Sequence, residues 1–343
     1  MNFAKNILRM AVAAMVAMAV TACAKSDEGT GVVPSDMTLN TAWRVEYIGK
    51  ECPRPDYNCA VRVSCDDTLP YIVTLVEASQ YDPMQLTPLC EALLSDLRLA
   101  IDELNTAEGT SYKIADFLLA TTNKEYFSVR PGRYVALALG VTPEGEPSGY
   151  YAASHPFDAV NATPTADYSA WLGEWDVVGK NNATTRIRVE SDWVNRTVII
   201  RGWEGFDYPI VVEYSTDRND LIIPTQCVAR NVEFSLGTGD VYLFAADDKY
   251  YYDDSKGNFN IAIAGVLDDG SRAIVRYAMP GFPIFEQMFF MAKIGDKFYA
   301  LTDEDKIPCF PAMIVPATGT ASQRATSPLR LIPLARQLSP LAR

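Results

Sequence analysis

The stretch Tyr168-Ser169-Ala170-Trp171-Leu172-Gly173-Glu174-Trp175-Asp176-Val177 decides the fold of the second half of this chain. From Gly173 onward, apolar and polar residues alternate, which predicts a β-strand with one buried face. Short segments of the same kind follow up to Leu301, separated by turns such as Asp268-Asp269-Gly270. About eight or nine antiparallel strands of this length suit a closed up-and-down barrel. We therefore predict a β-barrel domain over residues 168–316.

Residues 36–160 are predicted to form a second, mainly β domain that contains one helix. Trp43, Val45 and Tyr47 alternate with polar residues, as in a half-buried strand. Apolar residues then recur at helical spacing, which predicts a helix over 86–105. A short polar segment with one proline, residues 161–167, is predicted to be the hinge between the two domains.

Two local patterns resemble known families. The turn Pro131-Gly132 shortly before Tyr134 is similar to the fibronectin type III domain, and the Gly-x-Trp that ends at Trp175 resembles the first strand of lipocalin-like (calycin) barrels. These resemblances imply a mainly β chain in which an Ig-like sandwich with an inserted helix is followed by an antiparallel lipocalin-like barrel. In the barrel family the Trp plugs one end, and an Arg of the last strand packs over it. No Arg of this sequence stands out as that partner.

The N-terminus has the composition of an export signal. Lys5 and Arg9 precede an apolar run that is too short to span a bilayer core of about 30 Å. The run ends in Val20-Thr21-Ala22-Cys23, which resembles the bacterial lipobox. The resemblance implies that residues 1–22 are a lipoprotein signal peptide and that the acylated Cys23 anchors the chain in a lipid membrane.

Residues 23–35 are expected to be a flexible tether. Their charged patch, residues 25–28, is similar to the export tag of surface lipoproteins in Bacteroidetes-type bacteria. The whole arrangement resembles two-domain outer-membrane lipoproteins of those bacteria. We expect an outer-membrane protein on the cell surface, with the periplasmic face as the alternative.

Charge and cysteine content narrow the functional classes. The net charge of −13 disfavours binding to nucleic acid, because phosphate backbones are repelled. Disulfides are expected in an exported protein, and Cys52, Cys59, Cys227 and Cys309 are the candidates, with the pairing left open. A single His and no CxxC spacing predict no metal site. The segment 317–343 has four Arg and no acidic residue, and we expect it to be a disordered basic tail.

No motif for catalysis is present. The one histidine, His155, follows Ser154 directly, and neighbours in a strand point to opposite faces, so the two cannot form a triad locally. Glycoside hydrolysis needs only two carboxylates, but no pair stands out. We predict a protein that is not an enzyme and uses no cofactor, with glycoside hydrolysis as the least favoured alternative.

Aromatic residues near predicted strand ends are the best candidates for ligand binding, since flat rings suit the apolar faces of sugars. The candidates are Trp193, Trp203, Phe206, Tyr208, Tyr250, Tyr251 and Tyr252. We expect a surface-anchored, non-catalytic binding lipoprotein that captures a glycan or a small amphipathic ligand. The alternative is a structural or accessory interaction subunit of an outer-membrane complex or adhesin. An open barrel would favour the first, and a barrel filled by side chains the second.

Overall fold

A computed structural model describes residues 35–247, 250–252, 260–276, 285–318, 331 and 337–338. The signal peptide 1–22, the lipidation site Cys23 and the tether up to residue 34 lie outside the described residues. The chain divides into two compact units, Met1–Ala162 and Thr163–Arg343. Both consist mainly of β-strands, which confirms the predicted class.

The described residues of the first unit form eight strands, one long helix and two short 3-10 helices. These are β1 Thr38–Leu39, β2 Trp43–Gly49, β3 Cys59–Cys65, β4 Tyr71–Glu77, α1 Leu86–Glu108, β5 Asn123–Phe127, β6 Gly132–Val141, β7 Pro147–Ala153 and β8 Phe157–Ala159, with 3-10 turns at Pro83–Gln85 and Ile114–Asp116. One sheet has the order β1-β7-β6-β4, with β8 also on β6, and a second sheet has the order β2-β3-β5. The described residues of this unit form three apolar clusters: one under the first half of α1, one around Trp43 and Tyr71, and one between the end of α1 and Phe117.

Helix α1 confirms the helix predicted from the apolar spacing. It begins at Leu86, where the Asp36 carboxylate accepts hydrogen bonds from the backbone N–H groups of Leu86 and Thr87 at 3.1 and 2.9 Å. An acidic group at this position satisfies N–H groups that lack partners within the helix. The helix ends before Gly109, whose φ of 65° is easily adopted only without a side chain. Helix α1 therefore extends slightly beyond the predicted end at residue 105.

In the second unit, the part of the chain that the structure describes forms a short helix, fourteen strands and two 3-10 turns. These are α2 Ala166–Trp171, β9 Gly173–Gly179, β10 Thr184–Trp193, β11 Thr197–Arg201, β12 Ile210–Ser215, β13 Asp220–Pro224, β14 Gln226–Phe234, β15 Gly237–Ala246, β16 Tyr250–Tyr252, β17 Asn260–Val266, β18 Arg272–Arg276, β19 Gln287–Ile294, β20 Lys297–Ala300, β21 Ala312–Pro316 and β22 Gln337–Leu338, with the turns at Trp203–Gly205 and Glu304–Lys306. Strands β10-β11-β12-β13-β17-β18-β21-β9 form a closed antiparallel barrel of eight strands. The predicted barrel is confirmed.

The strands do not follow each other around the barrel as a simple up-and-down series. Strands β14, β15, β16, β19, β20 and β22 form a separate sheet. Strand β13 ends at Pro224, which has no N–H group to continue the ladder. Strands β15 and β19 contain continuous buried runs, such as Met288–Ala292, which are typical of strands covered on both faces. The barrel is closed instead by β21, which was not predicted.

Three residues of the segment 319–343, which we expected to be disordered, are among the described residues. Gln337 and Leu338 pair in parallel with Tyr250 and Tyr251 of β16, and Leu331 packs against the core of the second unit. The other residues from 319 onward lie outside the described residues. No helix in the described ranges is both long and apolar enough to cross a membrane.

Candidate functional site

The interior of the barrel is filled by side chains. The inward-facing residues around its centre are Trp171, Trp175, Ile187, Val189, Ile200, Leu221, Ala264, Ile274 and Ile314, and they enclose a cavity of ≈ 10 Å³. A cavity of this size holds at most one water molecule, and an apolar lining offers that water no hydrogen bonds. The interior therefore has no room for an organic ligand.

One end of the barrel is closed by helix α2. The Tyr168 hydroxyl donates to the Thr197 carbonyl oxygen at 2.9 Å, and the Trp171 indole N–H donates to Asn219 Oδ1 at 3.0 Å. Trp175, at the start of β9, donates its indole N–H to the Trp171 carbonyl oxygen at 2.8 Å. Both Trp171 and Tyr168 are fully buried, so α2 acts as a fixed plug.

Arg272 of β18 completes this plug. Its guanidinium carbon lies 4.7 Å from the ring centroid of Trp175 and 5.1 Å from that of Trp171. The sequence did not reveal this residue. In the barrel family the Arg that packs over the Trp lies on the last strand, whereas Arg272 lies on β18, which precedes the last barrel strand, β21. Arg272 and Ile274 alternate with Ala273 along β18, so both face the interior.

Three of the predicted aromatic binding residues are buried. Trp203 is 0% exposed, and its indole N–H donates to the Met288 carbonyl oxygen at 3.1 Å. Tyr251 is 1% and Tyr252 7% exposed. The Tyr252 hydroxyl donates to Asp247 Oδ2 at 2.7 Å, and the Tyr251 hydroxyl bonds to the Glu304 carboxylate. These rings present no face to a ligand at the surface.

The other aromatic candidates are half-buried. The structure brings Phe206 and Tyr208 together, with ring centroids 5.8 Å apart, and both pack edge-to-face on the buried Phe290. Trp193 lies at the end of β10, where the guanidinium carbon of Arg196 is 5.4 Å from its ring centroid. Tyr250 lies on β16 and packs against the same core as Phe206.

Beside this aromatic pair, the outer face of β10 and β11 is covered by charges of both signs. Arg188 and Arg201 are direct cross-strand neighbours, and Glu190 bonds to both, at 2.7 and 3.0 Å. Arg201 Nη1 also donates to the Asp207 carbonyl oxygen at 2.7 Å. The interleaved carboxylates offset the repulsion between the two guanidinium groups, as on a solvated sheet face.

The six described cysteines are all free thiols in the structure, so none of the four disulfide candidates is paired. Cys52 and Cys59 nevertheless lie close enough that the Cys59 backbone lowers the pKa of the Cys52 thiol, against the larger effect of burial. Burial raises the pKa of Cys52 to about 11 and that of Cys59 to about 12. Cys227 Sγ donates to the Ala229 carbonyl oxygen, and the Cys309 backbone N–H donates to Asn181 Oδ1.

The geometry defines a mainly β protein with a closed, filled barrel of eight antiparallel strands. Comparison with protein-family models, with curated proteins and with solved structures finds no match to this chain. Within the described ranges, no three His, Cys, Asp or Glu side chains gather where they could hold a metal ion.

Proposed function

We propose that this chain is a lipid-anchored, non-catalytic interaction protein of the outer membrane, a structural or accessory subunit rather than a carrier of small molecules. The filled barrel carries this proposal, because its cavity of ≈ 10 Å³ leaves no lumen for a ligand. The anchor is the acylated Cys23, and the cell surface is the preferred location, with the periplasmic face as the alternative.

Two contacts support the finer family resemblances. The Tyr134 hydroxyl donates to the Arg130 carbonyl oxygen at 3.0 Å, a bond of the kind that marks the tyrosine corner of Ig-like sandwiches. Arg272 over Trp175 supports the lipocalin-like assignment of the barrel. The first unit would then serve as an Ig-like spacer or docking domain.

The non-catalytic character is supported by the surroundings of the Ser154–His155 dipeptide. The Ser154 hydroxyl donates to the His155 carbonyl oxygen at 2.9 Å and accepts from the Ala136 backbone N–H at 2.9 Å. Both bonds are to the main chain, so the hydroxyl supports the strand and is not held against a base.

Glycan capture is a second candidate, and the pairing of Phe206 with Tyr208 favours it. Because side chains in an extended segment alternate, Asp207 points away from both rings. The two half-buried rings would therefore supply the apolar contact with a sugar. Retardation in polysaccharide gels that is lost in Tyr208→Ala but kept in Tyr150→Ala would establish this function.

The interaction proposal is tested by photo-crosslinking on intact cells that carry the full chain. A photoreactive phenylalanine replaces one exposed apolar residue at a time: Leu39, Leu99, Leu236 or Met313, which are 55%, 61%, 60% and 40% exposed. We expect a discrete adduct with another protein from at least one position. The adduct should disappear in Cys23→Ser, which folds but is not anchored. The proposal would be overturned if none of the four positions gave an adduct with another protein.

A further inference from the structure

A cleft in the first unit has the size and chemistry of a small-molecule site. Its volume is ≈ 280 Å³, and it is lined by Arg98, Ile101 and Asp102 of α1 and by Tyr112, Lys113 and Ile114 of the segment that follows the helix. The volumes of small-molecule pockets range from about 300 Å³ upward. A cleft at the lower end of this range suits a small ligand of roughly ten non-hydrogen atoms.

The walls of this cleft are fixed by specific contacts. Asn105 holds the backbone of Tyr112 from both sides: its Oδ1 accepts from the Tyr112 N–H at 2.8 Å, and its Nδ2 donates to the Tyr112 carbonyl oxygen at 3.0 Å. The Tyr112 ring packs edge-to-face on Phe117 with centroids 5.6 Å apart. The backbone N–H of Lys113 donates to Asp116 Oδ2 at 2.9 Å.

The β6–β7 turn contacts two of the residues that line the cleft, Arg98 and Ile114. Gly145 approaches Ile114 so closely that a Cβ atom there would lie 2.7 Å from Ile114 Cγ2, so only glycine fits. Arg98 Nη2 donates to the Gly145 carbonyl oxygen at 2.6 Å and to Glu146 Oε1 at 2.8 Å. The guanidinium of Arg98 therefore already has hydrogen-bond partners within the protein.

The remaining charges of the cleft are opposite in sign. Asp102 and Lys113 line the same cleft, but neither forms an ion pair with the other or with any other residue that the structure describes. The same cleft is lined by apolar residues: Ile101 is 4% exposed, and Ile114 and Tyr112 are half-buried. The lining of the cleft thus combines a carboxylate, an ammonium and apolar surface, a combination that is complementary to a zwitterion with an apolar body.

We propose that this cleft binds a free α-amino acid with an apolar side chain. The ammonium of the ligand pairs with Asp102, its carboxylate pairs with Lys113, and its side chain packs on Ile101, Tyr112 and Ile114. This activity goes beyond the interaction function proposed above and does not depend on it.

The test uses the full chain and isothermal titration calorimetry with phenylalanine as the probe. We expect saturable binding, and at least a tenfold loss of affinity in Asp102→Asn and in Lys113→Gln. Phenethylamine and 3-phenylpropionate, which each lack one charge, should bind at least tenfold more weakly to the unchanged protein. Phenethylamine should lose no further affinity in Lys113→Gln, whose partner group it lacks.

The matched controls are Glu103→Gln, the exposed acidic neighbour on α1, and Lys124→Gln on β5. Both should bind phenylalanine as the unchanged protein does, and circular dichroism should show that all four variants are folded. No saturable heat at millimolar phenylalanine, or equal affinities in Asp102→Asn and Glu103→Gln, would overturn the proposal. Neither result would affect the photo-crosslinking test of the interaction function.

Discussion

The guanidinium carbon of Arg272 lies 4.7 Å from the ring centroid of Trp175, and the same group lies 5.1 Å from that of Trp171. A single cation thus joins the last residue of α2 to the first strand of the barrel. The contact comes from β18, which is far from both residues in sequence. It fixes the plug that closes one end of the barrel.

Replacing Arg272 tests how much this cation contributes to the stability of the plug. Because a cation over aromatic rings contributes up to about 2 kcal/mol when shielded from water, we expect Arg272→Met to lower the free energy of unfolding by about 1 kcal/mol. The loss is partly offset because Arg272 Nε, buried without a hydrogen bond in the described residues, is removed as well. Urea unfolding followed by tryptophan fluorescence measures the change. The exposed Arg230→Met is the control and should have little effect.

Because side chains fill the barrel, we expect two isoleucines on neighbouring strands to differ strongly in how much they contribute to stability. Ile274 lines the central cavity, whereas Ile263 faces outward on β17. We expect Ile274→Ala to lower the free energy of unfolding by about 2–5 kcal/mol, because it leaves a void. Ile263→Ala should cost about 1 kcal/mol or less. Similar losses from both substitutions would mean that the interior is not tightly packed.

Trp203 is expected to affect stability rather than ligand binding. Trp203→Phe keeps most of the buried ring but removes the donor to the Met288 carbonyl oxygen, which should cost about 1–3 kcal/mol. Trp193→Phe, at a half-buried position, should cost less. Equal thermal stability of Trp203→Phe and the unchanged chain, together with weaker retention on a polysaccharide, would contradict the burial of this ring.

The raised pKa values of the Cys52 and Cys59 thiols predict that the protein loses stability at alkaline pH. Their pKa values are raised from 9.0 to about 11 and about 12, so the unfolded chain loses these protons at lower pH than the folded chain. Their contribution is fully present below pH ~9 and is lost as the pH rises to ~12. Unfolding curves of the reduced chain at several pH values should show a shallower alkaline loss in Cys52→Ala/Cys59→Ala. An identical pH dependence would contradict the assignment.

The same two residues test the expected disulfide. Because each of these residues affects the pKa of the other's thiol, the two lie in the same neighbourhood, and this pair is the first to test for a disulfide. We expect peptide mapping of the exported chain, without reduction, to yield a cross-linked Cys52–Cys59 peptide. Recovery of both as alkylated free thiols would show that the reduced state persists after export.

Local patterns in the sequence were enough to predict α1 and the barrel, because both depend on the spacing of apolar residues such as Leu94 or Trp175 along one segment. The same patterns could not assign β15 and β19 to a separate sheet, since alternation reveals a strand but not its partner. The burial of Trp203 depends on a turn in which Glu204 adopts a φ of 55° and accepts a bond from the Phe290 N–H. Such a turn is rare for a residue with a side chain, and its tertiary partner is distant.

The cleft of the first unit was missed for a related reason. Asp102 and Lys113 are two solvated charges among many in the sequence, and only the packing of α1 against the segment that follows it places them around one cleft. No short-range pattern carries that information.

The central claim is that the barrel is a packed scaffold, and xenon binding tests it most directly. Apolar cavities larger than a few atoms take up xenon, and it can be followed by the chemical shift of dissolved ¹²⁹Xe. In the unchanged chain, we predict that no saturable xenon binding occurs inside the barrel. In Ile274→Ala, we predict saturable binding. Saturable binding to the unchanged chain that is abolished by Ala264→Leu would show an open lumen and contradict the account.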